Sequence, residues 1–454
     1  MSRPESEAEY LSGLVPASVA GAPMSRRSAV KGAFGAGIGL SAAAALAACG
    51  SSTSTTGAST GASSTGGGAV TFGSNQSDAA PKKTMQTVLD AAKKATGVDV
   101  KINTVEHNTF QENISTYMQG KPDDVFTWFS GYRLRFFADK GLIGDISDVW
   151  SGLTGFSAGF KSASTGTDGK QYIVPSSYYP WAIFYRKSVF AAHGYTVPKT
   201  LDQLIALSKQ MQKDGLIPLA FADKDGWPAM GTFDALNLRV NGYQYHVDLM
   251  AGKKAWNSPE VKKVWDLWAS LLPYHQTNSL GRTWQEAAQA LLNKKAGMFL
   301  LGLFVSQQFT AKADLDDLDF FSFPEVDTTI GADALDAPID GYMMAKHPKN
   351  EAGAKKLLTY LGSIEAENIQ VAADPSMLVP NSGANVSGYT ALQKKAAELV
   401  GSAKNISQFL DRDTRPDFAS TVMIPSIQAF IKDPKSVAKI LDDIEAQKKS
   451  IFTA

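Results

Sequence analysis

Apolar positions along the chain change period at intervals short enough to mark alternating strands and helices. A short apolar run, Ala69 to Gly73, is followed after Pro81 by Met85, Val88, Leu89 and Ala92, spaced to share one face of a helix that Gly97 closes. Val98, Val100 and Ile102 then alternate with polar residues, as a strand does. A helical stretch from Phe110 to Met118 leads through Gly120 and Pro122 to the run Val125-Phe126-Thr127-Trp128. Strand, helix, strand, helix, strand is the order of an α/β layer. The rhythm returns downstream. Thr200 and Gln203 have capping-box spacing for a helix ending near Gly215, Ser258-Pro259-Glu260 starts another, and Thr283 with Glu286 starts a third. That third helix is expected to end at Gly297, before a strand from Met298 to Leu301 and a further one at Phe320. Helices over 350–361 and 435–449 complete the pattern, without an internal repeat. Trp265 and Trp268 share a helical stripe with Val261, Val264 and Leu271 or Leu272, which predicts core positions.

The first residues follow a different pattern. Arg26, Arg27 and Lys31 precede a run of apolar and small residues to Ala48, in the order of an export signal. The run is short and Gly/Ala-rich for a spanning helix. Cys49 is the only cysteine, so it has no internal disulfide partner. Leu46-Ala47-Ala48-Cys49 resembles the lipobox of bacterial lipoproteins, which implies cleavage before Cys49 and a diacylglycerol on its sulfur. Two acyl chains hold a protein stably on a bilayer. Ser25 to Lys31 looks like a twin-arginine export motif with Ala29 in place of the usual phenylalanine, and implies export after folding. Residues 1–23 resemble no part of a signal, which leaves Met1 and Met24 both open as starts. The expected organisation is a signal peptide over 1–48, a flexible Ser/Thr/Gly-rich tether over 49–68, and a folded body over 69–454.

Composition narrows the function classes. Lys+Arg and Asp+Glu number 44 each; the first 48 residues hold four of the former and three of the latter, so the remainder carries a net charge of −1. A nucleic-acid binder would show a basic excess. The body, about 385 residues, is too long for one core and calls for two lobes. The five histidines lack metal-ligand spacing. No Gly-x-Ser-x-Gly elbow or phosphate loop is present. Asp314 to Asp319 begins like a calcium loop, but Leu318 and Asp319 stand at its fifth and sixth positions, where the sharp turn needs glycine at the sixth. It is expected to be a solvated turn. No catalytic residue, metal or cofactor is expected.

Five phrases carry a resemblance: Gln119 to Phe126, Phe184 to Phe190, Pro198 to Leu204, Ala287 to Met298 followed by Gly302, and Ala345 to Asn350. Their order and spacing resemble the extracellular solute-binding proteins of ABC sugar importers, the maltose-binding-protein-like group. The resemblance implies a two-lobed α/β fold of the type II periplasmic-binding kind. Lobe 1 would hold about 69–180 and 324–378, and lobe 2 about 185–320 and 379–454. A hinge of crossing strands would close the cleft on a mono- or oligosaccharide. It further implies an ABC permease as partner, a monomer, and a place on the outer face of the cell membrane. Paired carboxylates are invisible in sequence. A membrane-tethered carbohydrate-active enzyme using two acids therefore stays open as an alternative, as does a binder of a non-sugar solute.

A sugar ring offers C–H faces that lie on aromatic planes and hydroxyl edges that need polar partners. Asp225-Gly226-Trp227 is the leading candidate, because a turn needs no tryptophan. Trp128 ends a strand, and Tyr179 and Trp181 lie near the expected crossing, with aromatic packing as the other reading. Trp284 begins a helix, where capping explains it equally well. Phe304 follows Gly302, at a position where the resemblance implies a stacking aromatic. Asn75, Gln76 and Asp78 follow the first strand and either meet hydroxyls or cap the next helix. Asp340 with Tyr342, and Arg412 with Asp413, lie where the resemblance implies a cleft lining.

Overall fold

The computed structural model describes residues 68–452 apart from 333 and 375. The signal, Cys49 and nearly all of the tether lie outside the described residues. The strands are β1 (Val70–Ser74), β2 (Val100–Thr104), β3 (Val125–Phe129), β4 (Ile173–Tyr178), β5 (Trp181–Arg186), β6 (Ile217–Ala220), β7 (Ala296–Gly302), β8 (Leu318–Phe321), β9 (Ala334–Asp336), β10 (Ile339–Met344) and β11 (Asn405–Ser407). They form a five-stranded sheet in the order β2-β1-β3-β10-β4, a four-stranded sheet in the order β6-β7-β5-β8, and the pair β11-β9.

Strand composition follows position. All residues of β3 and β5 are buried, and both read as continuous apolar runs, since helices cover both sheet faces. β2 lies at an edge and alternates half-buried with exposed positions, which is why its period of two was visible. The helix Ala79–Thr96 buries Pro81, Met85, Val88, Leu89 and Ala92 and stops at Gly97, whose φ of 71° only glycine adopts freely. With the helices Glu351–Leu361 and Ile364–Ala373 it encloses the core of the first sheet. The second sheet shares a core with Pro259–Leu271 and the C-terminal helices, where Trp265 and Trp268 are fully buried, as their stripe predicts.

Several elements differ from expectation. Phe110 to Met118 is split into His107–Glu112 and Ile114–Gln119, because Asn113 turns its amide back onto the Thr109 carbonyl (2.9 Å). The helix from Trp284 ends at Leu292, not Gly297, and β7 starts at Ala296. The acidic run is not a solvated turn: Lys312–Asp317 is helical, and Asp314 and Asp317 grip the buried Arg186 at 2.6 and 2.7 Å. The helix Pro228–Val240 had no sequence signature, since every residue in it is buried and no polar stripe sets a period.

The chain passes between the two large sheets between β4 and β5, and again between β8 and β10. A third passage runs past Leu378, whose N–H and C=O pair with the backbone of Tyr178 at 3.3 and 3.0 Å.

Candidate functional site

Both sheets direct their carboxyl ends toward the same gap. β1 and β3 are parallel, and β10 runs against them, so Asn75, Phe129 and the start of β10 at Asp340 gather at one edge. β6 and β7 are parallel and β5 opposes β7, which brings the turn after β6, the 3-10 turn Leu303–Gln308 and the start of β5 to the facing edge. Such edges are where α/β sheets hold ligands. Here they enclose a cavity of about 150 Å³.

One wall is aromatic. Phe304 is the hub, with ring centroids 5.3 Å from Tyr179, 5.1 Å from Trp284, 6.0 Å from Trp227 and 6.3 Å from Trp181. Two glycines make this packing possible. A Cβ at Gly302 would strike the Phe304 ring, and one at Gly231 would strike Trp181. Trp227 sits at the N-terminus of Pro228–Val240, half-buried, and its Nε1 donates to Asn108 Oδ1 at 3.1 Å. The opposite wall is polar. Asn75 is buried and held by Thr127, whose hydroxyl donates to Asn75 Oδ1 (2.8 Å) and accepts the Asn75 N–H (2.9 Å). Arg412 donates to Asp340 Oδ1 (2.7 Å) and the Tyr179 hydroxyl (3.0 Å), with its guanidinium 3.9 Å over the Phe129 ring.

Eleven of the fourteen sequence candidates lie on this cavity: Asn75, Gln76, Asp78, Trp128, Tyr179, Trp181, Trp227, Trp284, Phe304, Asp340 and Arg412. Three do not. Tyr342 lies two residues further into β10 than Asp340 and packs in the core beside Phe72, its hydroxyl accepting from Gln370 Nε2 (3.1 Å); the register shift at Asp340 and Gly341 belongs to β4, where Ser176 is the extra residue. Asp413 instead accepts the Gln408 N–H (2.9 Å). Asp225 bonds the Asn108 side chain and does not itself line the cavity. Asp78 stands at the helix N-cap without bonding its amides, and its Oδ1 accepts from Gln285 Nε2 at 3.4 Å instead.

A model of the bacterial extracellular solute-binding protein family matches residues 76–368. The chain belongs to that family. The solute-binding protein is 49% identical to the bacterial solute receptor AcbH, whose structure it matches with a TM-score of 0.83 over 85% of this chain and all of that one; AcbH is described as having an exclusive preference for β-D-galactopyranose. It is 25% identical to an uncharacterised ABC transporter extracellular-binding protein of Pyrococcus horikoshii over 73% of this chain and 71% of that relative. A chitin oligosaccharide binding protein shares the fold, at 22% identity and a TM-score of 0.75 over 85% of this chain and 99% of that one. The two-lobed type II α/β fold is therefore that of the family. Membership also replaces the two-acid enzyme alternative, because solute-binding proteins capture and release their ligand unchanged.

The solute-binding protein adds wall residues that the sequence reading passed over: Glu106, His107, Asn108, Gln285, Phe409 and Asp411 among them. His107 is half-buried between Phe129 and Trp227, each at 6.3 Å. Burial lowers its pKa, Asp340 opposes this and Arg412 adds to it, so the ring is neutral at pH 7 and accepts from Gln111 Nε2 at 2.7 Å. Burial also raises the Asp340 carboxyl, against Arg412. For Arg412, burial favours the neutral form, but Asp340, Tyr179 and Asp411 outweigh it and keep it charged. Asp411 is reached by Arg133 at 3.3 Å through one oxygen, while its Oδ1 has no hydrogen-bond partner. The only available signal for Asp411 was its place beside Arg412; His107 and Phe409 had none, since nothing local distinguishes a wall aromatic from a packed one.

Proposed function

We propose that this solute-binding protein is the lipid-anchored receptor of an ABC sugar importer and that its closed cleft holds one neutral hexopyranose of the galactose type. The observation that carries the reading is the pairing of the aromatic wall around Phe304 with polar side chains on the facing wall, Asn75, Asp78, Asp340 and Arg412. Ring faces suit the first and hydroxyls the second. Arg412 is the only Lys or Arg among the described wall residues and is engaged by Asp340, which argues against an anionic ligand. The cavity, about 150 Å³, is smaller than the roughly 300–1,000 Å³ of drug-sized sites, which favours one ring over a chain. The galactose preference of AcbH supports the choice of hexose.

The lobe assignment of 69–180 with 324–378 against 185–320 with 379–454 is supported by the division of strands between the sheets. The lipobox around Cys49 supports anchoring on the outer membrane face, and we take the receptor to be monomeric. No helix among the described residues is long and apolar enough to cross a membrane.

Titration calorimetry with galactose, glucose, maltose and a dipeptide tests the reading. Galactose is expected to bind without turnover. Binding of the dipeptide with no response to any sugar would end the sugar assignment. Fractionation of cells carrying Cys49→Ala tests the anchor, since the variant is expected in the soluble fraction.

A further inference from the structure

Besides Arg412, which pairs with Asp340 and Tyr179, three side-chain pairs reach across the gap between the lobes, and all six of their partners lie on the cavity. Trp227 Nε1 donates to Asn108 Oδ1 at 3.1 Å, Gln285 Nε2 to Asp78 Oδ1 at 3.4 Å, and Gln307 Nε2 to Ser376 Oγ at 3.0 Å. Each pair joins different elements. Asp78 and Asn108 follow β1 and β2, and Ser376 follows the helix Ile364–Ala373 that packs on Ala79–Thr96. Trp227 follows β6, Gln285 lies in the first turn of the helix Trp284–Leu292, and Gln307 lies in the turn after β7. The bonds therefore span the rim at three places. Gln285 and Gln307 are half-buried, and neither packs in the aromatic cluster around Phe304. Their bonded partners are polar side chains on the facing lobe.

We propose that Gln285 and Gln307 are specificity-determining residues that exclude a second sugar ring. The inference rests on the sugar reading above. A ring attached to the bound hexose has to leave the cavity between the lobes. In the closed state those exits are spanned by amide arms. A longer ligand either breaks the cross-lobe bond and leaves a half-buried amide and its partner unpaired, or holds the cleft open. A single ring does neither. Length discrimination would then come from bonds between protein groups, rather than from contacts with the sugar.

The test compares the full-length protein with Gln285→Ala, Gln307→Ala and the double variant, titrated with galactose, glucose, lactose, melibiose and maltose. Gln285→Glu provides a second route, since its carboxylate would face Asp78 and repel the rim open. Wild type is expected to bind a hexose and reject its disaccharides by at least about a hundredfold, the scale of discrimination that unpaired polar groups supply. At least one truncation should shrink that ratio to about tenfold or less, while hexose binding weakens by no more than about tenfold through loss of one closing bond. Because the ratio is read within each variant, a general loss of stability does not imitate the result. Wild type that binds disaccharides as well as hexoses overturns the proposal and leaves the sugar receptor standing. So does an unchanged ratio in every variant. Failure of every sugar to bind wild type overturns the receptor reading and this inference with it.

Discussion

Trp227 shows how much one residue can be asked to do. It closes an Asp-Gly turn, stands at the start of a buried helix, lines the cavity and donates across the gap to Asn108. The turn signal and the unneeded indole made it legible in the sequence; its bond to Asn108, 119 residues away, was not. Trp227→Ala is expected to weaken hexose binding by about 1–3 kcal/mol, read by calorimetry, and unchanged affinity removes it from the site. Nearby, Asp223 is fully buried and accepts the Ala229 N–H at 3.0 Å. Burial pushes its carboxyl up to about 7, against that bond. The folded value lies above the ordinary one of about 3.9, so the folded state binds the proton more tightly. Its contribution to stability is therefore full below about pH 4 and is lost as pH rises through about 7. Glu367, pushed up to about 8 by burial, has the same sign. Asp223→Asn stays neutral, and its melting temperature is expected to gain on wild type between pH 4 and 8. Parallel curves for the two proteins would contradict this.

At the scale of elements, capping boxes and edge-strand alternation were readable because they depend on neighbours three or two residues apart. Thr283 with Glu286 forms the reciprocal box its spacing predicts. Pro228–Val240 was unreadable for the opposite reason, as its surroundings are protein on every side. That helix also sets the slot for Trp181. Two effects compete in Gly231→Ala. Helix propensity favours alanine by up to about 1 kcal/mol. Against it, the new methyl would strike the six-membered ring of Trp181, and overpacking costs about 1–3 kcal/mol. The clash should win, since Trp181 is itself wedged against Phe409 at 4.8 Å. Denaturant titration is expected to show net destabilisation, with weaker hexose binding as the indole shifts. A stabilised variant with native affinity would mean that the slot has room.

Among the described residues the molecule has two large cores and three chain passages between its large sheets, and polar pairs bridge its cleft. Such bonds contribute about 0.5–1.5 kcal/mol each, more where the Asp78 carboxylate accepts, so closure is expected to depend on what the ligand adds. Solution scattering is therefore expected to show a smaller radius of gyration with saturating galactose than without it. Equal radii would mean that the lobes do not move. The amino-acid sequence by itself determined the α/β class, the existence of two lobes, the helix starts and the aromatic character of the site, because these arise from residue type and short-range spacing. Only the tertiary structure decided which polar groups reach the cavity. His107, Phe409 and Asp411 come from segments about 300 residues apart. Asp340 stands at the start of β10 and reaches the cavity, while Tyr342, two residues deeper in the sheet, joins the core, and no local pattern records how far a strand residue lies from the sheet's open end.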